Sequence, residues 1–160
     1  MINTVTEERF ESAFKWIITI LREHQIPFVI TGGLAARAYG ATRPLYDIDI
    51  DIPEGRFPDI LPDVQARVVT GPAHYADEHW DLYAMTLNFN GTNIDISGAQ
   101  SAKAFDAKSG TWVPCPTDLS QTETHEIFGI SVPVMAKDNL IAYKRLVGRP
   151  TDLQDIEETR

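Results

Sequence analysis

The sequence of 160 residues has one cysteine, few basic residues and no long hydrophobic run. The single cysteine, Cys115, excludes an internal disulfide and fits a reducing, cytoplasmic compartment. Fourteen lysines and arginines stand against twenty-three acids, which gives a net charge of −9. Because long nucleic acids are bound largely through basic side chains, we do not expect a broad DNA or tRNA surface. No apolar stretch is long enough to span a membrane, and no basic segment precedes an apolar run, so neither an anchor nor a signal peptide is expected.

The spacing of apolar residues predicts a chain of mixed helices and strands. A hydrophobic content of 43% suits one core, and we expect a single domain covering residues 1–160. Helical spacing predicts a helix over residues 6–24 with Thr6 as its cap. A second helix is expected to start at Asp138 and end at Gly148, and a capping box between Thr151 and Gln154 predicts the start of a last helix.

Turn residues divide the middle of the chain. Asn90-Gly91 predicts a hairpin of residues 82–89 and 92–97, and Gly129 separates strands at 124–128 and 130–134. A strand over residues 67–70 is expected to stop at Gly71-Pro72, with a loop over residues 73–81. That loop holds His74 and His79, whose spacing matches no closed zinc pattern, together with the aromatic residues Tyr75 and Trp80. Residues 99–121 give no chemical signal.

The most informative stretch is residues 28–53. It reads as a short strand over residues 28–30, a Gly32-Gly33 turn, a short helix closed at Gly40, and a strand of alternating aspartate and isoleucine. Because strand side chains alternate in direction, the isoleucines at 48, 50 and 52 share one face and the aspartates at 47, 49 and 51 share the other.

Two interpretations of the aspartate face stay open. The alternation could belong to a solvated strand whose charges discourage edge pairing. Alternatively, the neighbouring carboxylates could share a hard cation, since they repel one another unless a cation lies between them. The nearby glycine turn favours the second interpretation, because backbone N–H groups there could bind an anion such as phosphate.

These residues resemble the nucleotidyltransferase superfamily related to DNA polymerase beta, in its small prokaryotic members. The resemblance is carried by Gly32 and Gly33, followed after a loop by Asp47-x-Asp49, with Arg43 in the loop; the chain has Leu45 where many members have threonine. It implies an α+β fold: a mixed twisted β-sheet with helices packed mainly on one face. It also implies that Thr31, the two glycines and Arg43 bind the nucleotide.

The resemblance implies a third carboxylate on a later strand. Asp95 follows the Asn90-Gly91 turn in a strand whose isoleucines point the other way, so we expect it beside Asp47 and Asp49 as a catalytic metal ligand. A solvated face would also explain Asp95, and Asp51 is the alternate ligand if the strand register is shifted by two residues.

The C-terminal stretch carries a looser part of the resemblance. Lys144 is followed by Arg149, Asp152 and Asp155, a run typical of small members of the superfamily. The resemblance implies that Lys144 approaches the nucleotide phosphates; otherwise it is an exposed helix lysine. Asp152 and Asp155 are expected to start a helix or form salt bridges rather than to bind metal.

The sequence therefore predicts a Mg²⁺-dependent nucleotidyltransferase that moves an NMP group from an NTP to a hydroxyl of a small molecule, a protein or an RNA end. A helical partner subunit or a homodimer could complete the site. Two alternatives remain: a nucleotide-binding regulatory module that has lost turnover, as in a toxin–antitoxin or defence system, and a structural domain with an exposed aspartate strand.

Overall fold

The computed structural model describes residues 4–160, which form five α-helices and nine β-strands. The helices are α1 (Thr4–Glu23), α2 (Gly32–Ala38), α3 (Phe57–Val64), α4 (Lys137–Val147) and α5 (Pro150–Thr159). The strands are β1 (Val29–Thr31), β2 (Asp47–Ile52), β3 (Val68–Ala76), β4 (Trp80–Phe89), β5 (Thr92–Gly98), β6 (Lys103–Asp106), β7 (Thr111–Pro114), β8 (Thr122–Ile127) and β9 (Ile130–Met135). Among the described helices, none is both long and apolar enough to cross a membrane.

All nine strands belong to one mixed sheet. Its order is β7-β6-β4-β5-β2-β1-β9-β8, and β3 pairs with β4 outside this path. The pairs β2–β5 and β1–β9 are parallel, and the remaining pairs are antiparallel. The expected α+β fold with a mixed twisted sheet is therefore confirmed.

The core lies on the isoleucine face of β2 and β5. Ile48, Ile50 and Ile52 are fully buried together with Ile94 and Ile96. They belong to one cluster with the apolar residues of α1 and α3, namely Phe10, Phe14, Ile17, Leu21, Phe57, Ile60 and Val64. Burying each of these side chains contributes about 1.5–3 kcal/mol, so the core fixes which face β2 turns to the helices.

The expected loop over residues 73–81 is wrong, because this segment is the turn end of the hairpin formed by β3 and β4. β3 continues past Gly71-Pro72 with a shift in register between Thr70 and Ala73. Gly71 has a φ of +80°, a conformation open to glycine, so the strand bulges there instead of ending. The turn is closed by the Asp77 carboxylate, which accepts the backbone N–H groups of His79 and Trp80 at 2.8 and 2.9 Å.

The hairpin of β6 and β7 lies in the stretch that gave no signal. Its turn is held by the Asp106 carboxylate, which accepts the backbone N–H of Lys108 at 2.9 Å, and by Gly110, whose φ is +69°. Only Phe105 and Trp112 pair across it as large apolar side chains, with ring centroids 5.6 Å apart. Because the hairpin has only this one pair of large apolar residues, its two strands show no alternating pattern that would predict them from the sequence.

The helix ends differ from the predicted ones at three places. The first helix begins at Thr4, before the cap expected at Thr6, whose side chain lies outside the described residues. The helix α4 begins after Ala136 rather than at Asp138, and it ends at Gly148 as expected, with a φ of +68°. The last helix begins at Pro150, since the Asp152 carboxylate accepts the backbone N–H of Arg149 at 3.1 Å; the predicted capping box is therefore wrong.

Ile50→Ala should lower the free energy of unfolding by about 2–5 kcal/mol, because it leaves a cavity in a fully buried position. The matched control is Val69→Ala, also a β-branched residue on a strand but 58% exposed, which should change stability by no more than about 0.5 kcal/mol. Urea unfolding followed by circular dichroism measures both. Equal losses would contradict the assignment of the isoleucine face to the core.

Candidate active site

Three carboxylates converge on the face of the sheet opposite the core. The parallel register sets Asp49 of β2 directly beside Asp95 of β5, and Asp47 lies two residues earlier on the same face. One carboxylate oxygen of each lies within 4.8 Å of those of the other two. The structure thus brings together the three residues predicted as a catalytic set, and we call them the triad.

The glycine turn packs directly against the triad. Thr31 of β1 pairs with Asp49, and α2 starts at the next residue, Gly32. Gly32 has a φ of +63°, and a Cβ built on it would lie 2.1 Å from Asp49 Oδ2. A Cβ on Gly33 would lie 2.8 Å from Nη2 of Arg43. A side chain at Gly32 would therefore be strained and would displace the Asp49 carboxylate, and one at Gly33 would displace the end of the Arg43 side chain.

The three carboxyl groups of the triad carry like charges and are partly buried, and both conditions affect the pKa values of Asp47 and Asp49. Burial, followed by the charge of Asp95, raises the pKa of Asp47. Burial and the charges of Asp47, Asp95 and Asp51 raise the pKa of Asp49 well above its ordinary value, and Lys144 opposes the shift. Thr86 of β4 donates a hydrogen bond to Asp95 Oδ1 at 2.7 Å, which orients that carboxylate.

Asp51 lies further along the same face but outside the triad. It pairs with Ser97, and its carboxylate accepts a hydrogen bond from the Thr117 hydroxyl. Burial raises the pKa of Asp51 to about 6, against the lowering effect of Thr117. The register expected for Asp95 is the observed one, so Asp51 is not needed as a replacement ligand.

A cavity of about 920 Å³ joins the triad to the rest of the predicted site. All of the residues predicted for nucleotide binding line it: Thr31, Gly32, Gly33, Arg43 and Lys144. The alternative in which Lys144 is an exposed helix residue is wrong, because its side chain is 2% exposed and its Nζ lies 3.0 Å from Asp155 Oδ2. Asp155 and Asp152 form salt bridges and Asp152 caps the helix, as expected.

Sequence reasoning missed several residues that line this cavity. Among them, the Trp80 indole N–H donates to the Tyr143 hydroxyl at 2.6 Å, and the Arg149 guanidinium lies 4.6 Å from the centre of the Trp80 ring. Cys115 also lines the cavity, and burial followed by the Asp51 charge raises the pKa of its thiol to about 11, so it stays protonated. These contacts join residues more than sixty positions apart, for which the sequence carries no local signal.

The histidines of the β3–β4 hairpin do not form a metal site. His74 Nε2 lies 2.6 Å from Asp81 and His79 Nε2 lies 3.6 Å from Glu78, each pair being separate. Among residues 4–160, the triad is the one group of three or more acids, histidines or cysteines with metal-like spacing.

The α+β fold, the glycine turn and the triad, together with a matching family profile, define a protein of the nucleotidyltransferase superfamily. The sequence profile of the aminoglycoside-2''-adenylyltransferase family matches residues 14–159, so the chain belongs to this family. Its activity is accordingly that of a nucleotidyltransferase. A search of curated proteins found no match.

Solved structures share this fold. TM1012 of Thermotoga maritima, assigned as a nucleotidyltransferase, superposes with a TM-score of 0.71 at 21% identity, over 91% of this chain and 89% of that one. The lincosamide antibiotic adenylyltransferase LnuA, with lincomycin bound, gives 0.62 at 13% identity over 93% and 95%. ANT(2'')-Ia in complex with adenylyl-2''-tobramycin gives 0.62 at 18% identity over 93% and 86%.

Gly32→Ala should destabilise the protein by about 1–3 kcal/mol, because it puts a side chain in the left-handed region and into the Asp49 carboxylate. Gly55→Ala is the matched control, since nothing lies within 4 Å of a Cβ there. Thermal unfolding of both variants tests the expectation. Similar melting temperatures would show that the backbone does not need glycine at the turn.

Asp51→Asn should weaken the pH dependence of stability in the metal-free protein. Because burial raises the pKa of Asp51 from 3.8 to about 6, its stabilising contribution is fully present below about pH 4 and is lost as the pH rises through about 6. Asparagine carries no charge, so the variant should lose less stability than the wild type between pH 4 and 6.5. Urea unfolding in EDTA measures the difference.

Asp106→Asn is a control, because the contribution of Asp106 to stability should change with pH in the opposite direction. The pKa of Asp106 is lowered, first by the Lys108 backbone N–H, so its contribution is present above the ordinary pKa and is lost on acidification. Parallel stability curves for Asp51→Asn and the wild type would contradict the burial of the Asp51 charge.

Proposed function

We propose that this protein is a Mg²⁺-dependent adenylyltransferase that moves the AMP group of ATP to a hydroxyl group of a small aminated acceptor of the aminoglycoside type. The convergence of Asp47, Asp49 and Asp95 beside the glycine turn, within one cavity, carries the proposal. Family membership and the antibiotic adenylyltransferases of the same fold support the choice of AMP and of a small-molecule acceptor.

The triad fits a divalent cation. Its donors are oxygens only, which hard Mg²⁺ prefers over nitrogen and sulfur ligands. Burial and mutual repulsion of the carboxylates raise the pKa values of Asp47 and Asp49, and a bound cation would relieve that repulsion. When bound, such cations stabilise the attacking and leaving oxygens of an in-line displacement.

The residues of the chain have distinct roles in this transfer. The acceptor hydroxyl oxygen attacks the α-phosphorus of ATP, and the bond from that phosphorus to the pyrophosphate oxygen breaks. Asp95, held by Thr86 through Oδ1, is proposed to take the hydroxyl proton on its other oxygen. Arg43 and Lys144 are proposed to bind the phosphates that leave as pyrophosphate.

The remaining cavity wall favours a positively charged acceptor. Asp51, Asp77 and Asp118 line it beyond the triad, together with the aromatic residues Tyr75 and Trp80. Carboxylates attract ammonium groups, and aromatic faces pack against sugar rings and cations. The net charge of −9 adds long-range attraction for such a molecule and disfavours a nucleic-acid acceptor. Completion of this wall by a second copy or a helical subunit stays a prediction.

Purified protein with ATP and Mg²⁺ should release pyrophosphate in the presence of an aminoglycoside, and mass spectrometry should detect the adenylylated product. The same assay should be run with GTP, CTP and UTP in place of ATP, and with lincosamides in place of the aminoglycoside. Asp49→Asn and Asp95→Asn should each lower kcat by about 10²–10³ or more, because each removes a charge needed at the reacting phosphate. EDTA should abolish turnover.

Asp63→Asn serves as the matched control, because Asp63 lies on α3, pairs with His24 and does not line the cavity. Its kcat should equal that of the wild type. ATP binding without transfer to any acceptor would favour the inactive regulatory module instead. Full activity of Asp49→Asn would refute the proposed chemistry.

A further inference from the structure

Besides Lys103 of β6, three basic side chains line the cavity, and the ion pairs of these three lead away from the triad. Arg43 comes from the loop before β2, Lys144 from α4, and Arg149 from the segment between α4 and α5. Within the described chain, each has its salt bridges with Asp152 or Asp155 of α5. The last helix therefore holds the cations of the site, although it comes more than fifty residues after Asp95.

Asp155 connects two of these cations. Its Oδ1 lies 2.8 Å from Nε of Arg43 and its Oδ2 lies 2.9 Å from Nη2, a two-pronged contact. Its Oδ2 also lies 3.0 Å from Nζ of Lys144, and its side chain is fully buried. A bidentate contact fixes the plane of a guanidinium as well as its position.

Asp152 connects Lys144 to the third cation. It accepts Nε and Nη2 of Arg149 at 2.8 and 3.1 Å, and its Oδ1 lies 3.6 Å from Nζ of Lys144. Its side chain is 1% exposed. The Arg149 guanidinium is further fixed by the Trp80 ring, 4.6 Å away.

The charges of the three cations and of the two α5 carboxylates do not cancel. Three cations face two carboxylates, which leaves one net positive charge beside the glycine turn. A guanidinium has five N–H donors, and each arginine gives two of its own to an α5 carboxylate. Three donors on Arg43 and three on Arg149 remain for other acceptors. Without the two acids, three like charges would repel one another and turn towards water.

We propose that Asp155, together with Asp152, is a positioning residue that holds Arg43, Lys144 and Arg149 as a preformed site for the triphosphate of the nucleotide. This inference rests on the proposed function. The two acids contact no substrate; they act by fixing flexible side chains before the nucleotide arrives, so less ordering is required on binding.

Asp155→Asn should weaken the binding of a non-hydrolysable ATP analogue with Mg²⁺ about tenfold, which corresponds to about 1.4 kcal/mol. Isothermal titration measures this affinity, and steady-state kinetics should show a similar rise in KM for ATP with an unchanged KM for the acceptor. In an Arg43→Gln background the same substitution should have a smaller effect, less than about threefold, because one of its two cations is already gone.

Glu158→Gln separates positioning from simple anchoring of α5. Glu158 lies on the same helix and accepts the backbone N–H and the hydroxyl of Thr42 at 3.1 and 2.6 Å, one residue before Arg43. It therefore anchors the same helix to the same loop without contacting a cavity cation. This variant should lower the melting temperature and leave the ATP affinity unchanged.

Equal ATP affinities for Asp155→Asn, Glu158→Gln and the wild type would overturn the inference and leave the proposed function intact. Failure of the wild type to bind any nucleotide would instead refute the proposed function itself. Should Asp155→Asn not fold, Asp152→Asn makes the same test through Lys144 and Arg149, and an unchanged ATP affinity there would also overturn the inference.

Discussion

The parallel pairing of β2 with β5 is the constraint on which the site depends. It lays Asp49 beside Asp95, an arrangement of like charges that is unfavourable by itself. The same register buries the isoleucines of both strands on the other face, and that burial outweighs the repulsion. A slip by one residue would send the aspartates into the core, so the packing of one face keeps the carboxylates together on the other.

The cations of the cavity have to stay apart from this acidic cluster. A lysine or arginine free to move would be drawn to the triad and would neutralise it, and Lys144 is already close enough to oppose the rise in the pKa of Asp49. Its ion pairs with Asp152 and Asp155 hold it instead against α5. Under the proposed function, the helix would thus keep the acids available for a divalent cation and the basic residues available for phosphate, two needs that conflict in a single cavity.

Sequence patterns were informative where one short segment contains the whole signal. Alternation of Asp and Ile defined both faces of β2, Asn90-Gly91 defined the hairpin that carries Asp95, and Gly148 ended α4. They failed where tertiary contacts decide. Gly71-Pro72 read as a stop but is a bulge within β3, and Trp80 joins Tyr143 and Arg149 only because the sheet brings the hairpin to the C-terminal helices.

The difference between Asp51 and the triad does not come from distance along β2. Asp47 and Asp51 are each two residues from Asp49 on the same face, about 6.6 Å along the strand, so what distinguishes Asp51 is the set of groups around it. Its partner across the parallel pair is Ser97 rather than an acid, and Thr117 supplies its hydrogen bond. Identical side chains on one strand face thus have different surroundings: Asp49 stands beside another acid, whereas the Asp51 carboxylate accepts a hydrogen bond from a hydroxyl group. Under the proposed function, the first pair would hold the metal and Asp51 would face the acceptor.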